Sequence, residues 1–168
     1  MPKIIENVRE QLLAEAKKQI AERGYANTTI RSVAGACGIG VGTVYNYFPS
    51  KDELLATYLL RDWNTCIAAI GEAGAAAQTP EPVLRCIHGQ LWAYAQRHQA
   101  IFRDEGAAAS FAGSFGRYHG LLRHQLAVPV RKFCGSDFTA EFIAESLLTW
   151  TMAGKPFDEI YGMISKLF

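Results

Sequence analysis

The stretch from Thr28 to Lys51 reads TTIRSVAGACGIGVGTVYNYFPSK, and its residue types and spacing point to one kind of chemistry. Thr29, Tyr45, Tyr47 and the Ser50–Lys51 helix start offer hydroxyls, an ammonium and free backbone N–H groups. Such donors suit phosphate oxygens. Val41, Gly42, Thr43, Asn46 and Tyr47 are small, polar or aromatic, and none is charged. Side chains of this kind can enter a major groove, which is wide enough to admit a helix. Tyr45 and Tyr47 are two apart, about 200° on a helix, so they cannot both face inward. Val44 and Phe48, four apart, form the apolar edge that can seat that helix.

The elements needed to hold these groups are all helical. Ile5, Val8, Leu12, Ala16 and Ile20 make one apolar stripe, and Gly24 can end that helix in a left-handed C′ position. Thr28 and Thr29 can cap a short helix to about Ala36, and Cys37-Gly38-Ile39-Gly40 reads as a tight turn. Val41 to Phe48 is a second short helix stopped by Pro49. Two short helices joined by a glycine turn after a longer amphipathic one make a helix-turn-helix. Ser50 and Glu53 then form a capping box for a helix that can reach Ala77. After the Gln78–Pro82 break, the pattern predicts helices over Pro82–His98, Ile101–Ser110 and Gly113–Phe133, the last ended or kinked at Pro129. Two more run Asp137–Ala153 and Pro156–Leu167, with Pro156 in the first turn. No segment alternates apolar and polar residues with β-branched enrichment. The expected fold is all-α.

Composition excludes several classes. The 168 residues are 49% hydrophobic and 20% charged, which rules out a disordered chain and a disulfide mini-protein. Cys37, Cys66, Cys86 and Cys134 form no CxxC pair, and the N-terminus has charges every few residues where a signal peptide needs an apolar run. No uncharged apolar stretch approaches the ~20 residues of a membrane span. These features predict a cytoplasmic protein with reduced thiols and no membrane partner. There is no nucleophile elbow, Walker or dinucleotide motif, so neither catalysis nor a cofactor is expected. Cys86-Ile87-His88 and the His119…His124 pair lack recurrent zinc spacing, so no metal is expected.

Ile5 to about Leu55 resembles the N-terminal DNA-binding domain of the TetR family of bacterial transcriptional regulators. The residues that carry the likeness are Thr29-Ile30-Arg31-Ser32-Val33-Ala34, the turn Gly38-Ile39, and Gly42-Thr43-Val44-Tyr45-Asn46-Tyr47-Phe48-Pro49-Ser50-Lys51-Asp52-Glu53-Leu54-Leu55. The resemblance implies that Thr29, Tyr45, Tyr47 and Lys51 touch phosphates and that Arg31, Val41, Gly42, Thr43 and Asn46 face base edges. It divides the chain into a DNA-binding domain, 1–50, and an effector-binding and dimerisation domain, 51–168. The chain departs from the family at Gly40, where a serine-like cap is usual, and at Gly35 and Cys37. Glycine for serine at an N-cap costs only about a few tenths of a kcal/mol.

The C-terminal part is rich in aromatics, which can pack a core or together line an apolar cavity between helices. The resemblance implies an effector pocket there, with Trp63, Ile67, Trp92, Phe111 and Phe115 as its expected lining and an apolar or aromatic ligand. Phe157, Ile160, Tyr161, Ile164, Leu167 and Phe168 make a stripe too wide to leave wet, buried inside the chain or against another subunit. Phe138, Phe142, Leu147 and Trp150 extend it. The resemblance implies a homodimer built on the last two long helices, reading a palindromic operator.

The expected function is that of a repressor released by a small-molecule ligand. The competing reading is a helical small-molecule binder or enzyme whose head no longer binds DNA. The formal charge of +1 looks unhelpful to DNA binding, but it is an average. Residues 1–51 hold seven Lys/Arg against four Glu, whereas the other 117 hold ten basic and twelve acidic residues. A mildly basic head is joined to a mildly acidic body.

Overall fold

A computed structural model describes residues 7–112 and 115–168, with the side chains of 110–117 outside the described set. Among the described residues every regular element is helical. They fall into two compact units, one within residues 7–61 and 98–112, the other within residues 62–97 and 115–168.

The first unit begins with α1 (Val8–Arg23), α2 (Ile30–Cys37) and α3 (Val41–Tyr47). Gly24 ends α1 at φ 81°, and Gly38 ends α2 at φ 68°, two positions where a side chain would be strained. The expected cap of α2 is Thr29, and its partner is Ser32. Thr29 Oγ1 accepts the Ser32 N–H, and Ser32 Oγ accepts the Thr29 N–H, both at 3.0 Å. Leu12, Leu13 and Ala16 of α1 close on Ile30, Val33 and Ala34 of α2 and on Val44 and Phe48. This unit also takes the first part of α4 (Lys51–Ala76), together with α6 (Gln99–Phe102) and α7 (Glu105–Ala112). Ile20, Tyr25, Leu55, Ile101 and Ala107 form its second apolar cluster.

The expected single helix over Ile101–Ser110 is instead two, α6 and α7, separated at Arg103–Asp104. Asp104 causes the break. Its Oδ1 accepts the Ala107 N–H at 3.0 Å, satisfying a backbone donor that a helix start leaves free.

The second unit packs the rest of α4, α5 (Pro80–Arg97), α8 (Phe115–Ala127), α9 (Asp137–Met152) and α10 (Phe157–Ile164) around one core. The α5 helix starts at Pro80, two residues before the expected Pro82, because a proline is tolerated in a first turn. Pro129 does end α8, and the chain continues as a 3-10 segment over Val128–Phe133. Pro156 caps α10 from outside, and the last turn tightens to 3-10 over Ser165–Leu167.

Four residues expected at a subunit interface are buried in this core: Leu147, Phe157, Ile160 and Ile164. The stripe on α10 is apolar because it closes the chain's own bundle, so these four cannot face a second subunit. Tyr161 is half-buried against the same cluster and stacks on Phe157 at 5.2 Å.

One contact in this unit leaves no spare room. A Cβ added at Gly74 of α4 would stand 2.5 Å from Pro129 Cβ and 3.3 Å from Pro129 Cα. The pyrrolidine ring is rigid and cannot swing aside. We predict that Gly74→Ala lowers the stability of the full chain, towards the upper end of the about 1–3 kcal/mol of overpacked sites. That loss exceeds the ~1 kcal/mol which alanine returns in helix propensity. Urea unfolding measures it, and an unchanged or raised midpoint would contradict the packing.

Candidate nucleic-acid interface

The α3 helix has only seven residues, and its two faces have different jobs. Val44 and Phe48 are buried and Val41 is half-buried against the same cluster. At about 100° per residue, Asn46 lies opposite that seam. Gly42 stands one turn before it, and Tyr45 and Tyr47 flank it at about 100° on either side. Tyr45 is 51% exposed and Tyr47 43%, and Gly42, Thr43 and Asn46 are exposed too. Arg31 on α2 is also exposed. Of the expected base-edge group, Val41 is the one the fold turns away.

The helix starts without a side-chain cap. Gly40 supplies only its carbonyl, which accepts the N–H groups of Thr43 and Val44 at 3.0 and 3.3 Å. Ser50 does cap α4, accepting the Glu53 N–H at 3.1 Å.

Lys51 is held more firmly than its place in the sequence suggests. Its Nζ donates to the Tyr25 carbonyl at 2.9 Å and sits 3.6 Å from the Tyr25 ring centroid. An ammonium has three N–H donors, so others stay available to a phosphate. The Tyr25 hydroxyl in turn donates to Asp52 Oδ1. Tyr25 is thus a buried clamp that ties the turn after α1 to the first turn of α4. Sequence reasoning missed it. The signal was an aromatic beside a helix-ending glycine, with partners 26 and 27 residues away that no local pattern indicates.

Among the described residues, Trp63, Ile67 and Trp92 of the expected pocket set do not line one common cavity. Trp63 is buried, its Nε1 donates to Gln125 Oε1 at 2.8 Å, and its ring meets Tyr94 edge-on at 5.6 Å. Trp92 is 41% exposed and stacks on His88, so it lies on the surface of α5. The side chains of Phe111 and Phe115 lie outside the described residues. Ile67 does line a groove, of about 320 Å³, together with Ile70, Gly71, Gly74, Ala75, Gln125, Val128, Pro129 and Lys132. Its walls are mostly aliphatic, with the Gln125 amide and the Lys132 ammonium as polar groups. Lys132 Nζ is bonded to the Ala77 carbonyl at 2.7 Å.

Phe142 and Trp150 on α9 are 51% and 52% exposed, and Phe138 on the same helix is exposed further. Tyr118 and Leu121 are exposed on α8. Beside them, charges link the two helices. His119 Nε2 lies 2.9 Å from the Glu145 carboxylate, and Arg123 Nε donates to Glu141 Oε2 at 2.7 Å. His124 Nδ1 lies 3.0 Å from Glu141 Oε1. Burial alone would raise the Glu141 carboxyl, but hydrogen bonds from Arg123 and His124 outweigh it and hold the group below the usual carboxylate value. Glu145 is lowered in the same way, by His119 and Thr149. Among the described residues no helix is long and apolar enough to cross a membrane.

With this geometry in hand, comparison with known proteins is specific. Residues 12–58 match the model of bacterial regulatory proteins, tetR family. The HTH-type transcriptional regulator HbdR of an Aromatoleum species is 33% identical over 93 residues, covering 55% of this chain and 39% of HbdR. The HTH-type transcriptional repressor KstR of Mycobacterium tuberculosis is 32% identical over 105 residues, covering 62% of this chain and 48% of KstR. The chain therefore matches about half or less of the length of these curated relatives. The solved structure of SCO7518 from Streptomyces coelicolor A3(2) superposes with a TM-score of 0.72 at 18% identity, covering 95% of this chain and 96% of the other. A transcriptional regulator from Rhodococcus sp. Rha1 gives 0.67 at 21% identity with the same coverage. These likenesses show the fold.

The clamp yields a prediction. Tyr25→Phe keeps the ring under Lys51 and removes the hydroxyl that bonds Asp52. It should cost about 1.5–3 kcal/mol, the range for a hydrogen bond to a charged group. Unfolding monitored by circular dichroism reads the change, and a cost near zero would show that the hydroxyl is idle.

Proposed function

We propose that this chain, whose residues 12–58 match the model of bacterial regulatory proteins, tetR family, is a cytoplasmic, DNA-binding transcriptional repressor of that family. It binds a palindromic operator as a homodimer and is released by a small-molecule ligand. One observation carries the reading: a short, uncharged helix seated by Val44 and Phe48 that leaves Asn46, Thr43 and two tyrosines exposed. In this reading residues 1–50 are the DNA-binding domain, and residues 51–168 bind the effector and form the dimer. Thr29, Tyr45, Tyr47 and Lys51 donate to phosphates, and Arg31, Gly42, Thr43 and Asn46 face the bases.

The groove beside Ile67 is the proposed place for the effector. Its volume falls in the range of small-molecule sites, and its aliphatic walls favour an apolar or aromatic ligand. The proposed subunit contact uses the exposed aromatics Phe138, Phe142 and Trp150, since apolar patches of this kind on a surface mark interaction sites. Release follows as a population shift. A ligand that binds better to the form with wrongly spaced heads lowers operator affinity by its differential affinity for the two forms. The α4 helix contains residues of both units, which makes it the proposed carrier of that shift.

The second reading, a small-molecule binder whose head no longer contacts DNA, draws support from Gly40 and from the absence of charge on α3. A gel-shift series on a palindrome near the chain's own gene separates the two. We predict salt-steep binding, with Lys51→Ala reducing the log–log slope by about one unit. Tyr45→Ala should weaken binding with the fold intact, because its side chain is exposed. Affinity independent of salt, or a duplex library that returns no bound sequence, would favour the second reading.

A further inference from the structure

The exposed face of α3 carries more information than its place in a groove. Asn46 is its centre line, flanked symmetrically by the two tyrosines and set opposite the buried seam of Val44 and Phe48. The Asn46 side chain is exposed, and no hydrogen bond engages it among the described residues. Its carboxamide has one acceptor and two donor hydrogens. In a major groove that combination matches the N6 donor and N7 acceptor of adenine, a bidentate pairing that no other base offers. The α3 helix has no arginine or lysine, the side chains that pair with guanine O6 and N7. Thr43, on the same exposed face, brings a methyl group suited to the thymine methyl.

Gly42 supplies an independent observation. It stands one turn before Asn46, at the second position of the helix, where alanine would be the better helix former. Nothing internal explains it. A Cβ added there would meet no atom within 4 Å, and the backbone is not in the left-handed region. A glycine that neither backbone geometry nor internal crowding requires, exposed on the same side as Asn46, leaves room for something outside the chain to approach the backbone closely.

We infer that Asn46 reads an adenine of an A·T pair at the centre of each operator half-site, and that Gly42 lets the helix backbone come close to the adjoining base edges. This rests on the regulator reading above and adds to it a base identity and the residue that sets it. Tyr45 and Tyr47, about 100° to either side, then reach the two groove walls, so Asn46 is the discriminating group and the tyrosines are positioning groups.

The experiment is selection from a randomised duplex library by the full chain, repeated with Asn46→Ala and Gly42→Ala, with circular dichroism and the unfolding midpoint as folding controls. The wild-type chain should enrich half-sites with an A·T pair at one fixed position. Asn46→Ala should lose about ten- to one-hundred-fold of the preference at that position alone, the other positions being kept. Gly42→Ala should fold at least as well as the wild type and bind the selected duplex more than about ten-fold more weakly. A fixed G·C pair where Asn46→Ala changes the preference, or a motif that Asn46→Ala leaves unaltered, would overturn the assignment while leaving the regulator reading intact. Full affinity in Gly42→Ala would overturn the close approach. A chain that enriches no duplex at all would overturn the regulator reading and this inference with it.

Discussion

A helix of seven residues has no stability of its own in water, since the first turn costs more in backbone order than its hydrogen bond returns and too few residues follow to recover it. The α3 helix persists because Val44 and Phe48 are buried between α1 and α2, and everything proposed for the head depends on that seam. It decides which residues turn outward, and so it alone makes Asn46 central and the tyrosines lateral. Gly40 adds little at the start of the helix, having no side chain to cap it. Orientation here is a matter of packing, with propensity secondary. The reciprocal Thr29–Ser32 cap plays the supporting part, holding α2 as the shelf on which the seam rests.

The first turn of α4 depends on that same unit through Tyr25. A carboxylate, an ammonium and a buried phenol meet there, so the geometry of Lys51 is set by groups well inside the fold. If Lys51 donates to a phosphate as proposed, it does so from a position largely fixed before DNA arrives. The near-neutral net charge fits this arrangement. The excess of cations over carboxylates is small, so a phosphate contact gains from a lysine that is already held in place.

Much of the head was legible in the sequence, and the reason is locality. Gly24, Gly38, Thr29, Ser50 and Pro49 act on neighbours within four residues, so their effects can be read from spacing. The seam of Val44 and Phe48 follows from helical periodicity in the same way. What spacing could not give was partner identity. The Tyr25 clamp spans 26 residues; the Asp104 cap acts only three residues on and was within reach of spacing, but the apolar pattern running through it hid the break. On α10 the apolar stripe was visible, but whether it met the chain's own core or a second subunit depends on α5 and α9 being beside it. The structure closes Phe157, Ile160 and Ile164 inside and leaves Leu167 and Phe168 exposed, while Phe138, Phe142 and Trp150 face outward on α9. Trp63 and Trp92 show a related ambiguity: an aromatic on a helix signals burial or contact, and the periodicity does not say with what.

The central claim is that two copies of this head present α3 to two major grooves on one face of a duplex. Hydroxyl-radical footprinting of the full chain on a selected operator tests it most directly. The account predicts two protected patches of equal strength related by a dyad, about one helical turn or a whole multiple of it apart. A single unsymmetrical patch, or uniform protection along the duplex, would contradict it.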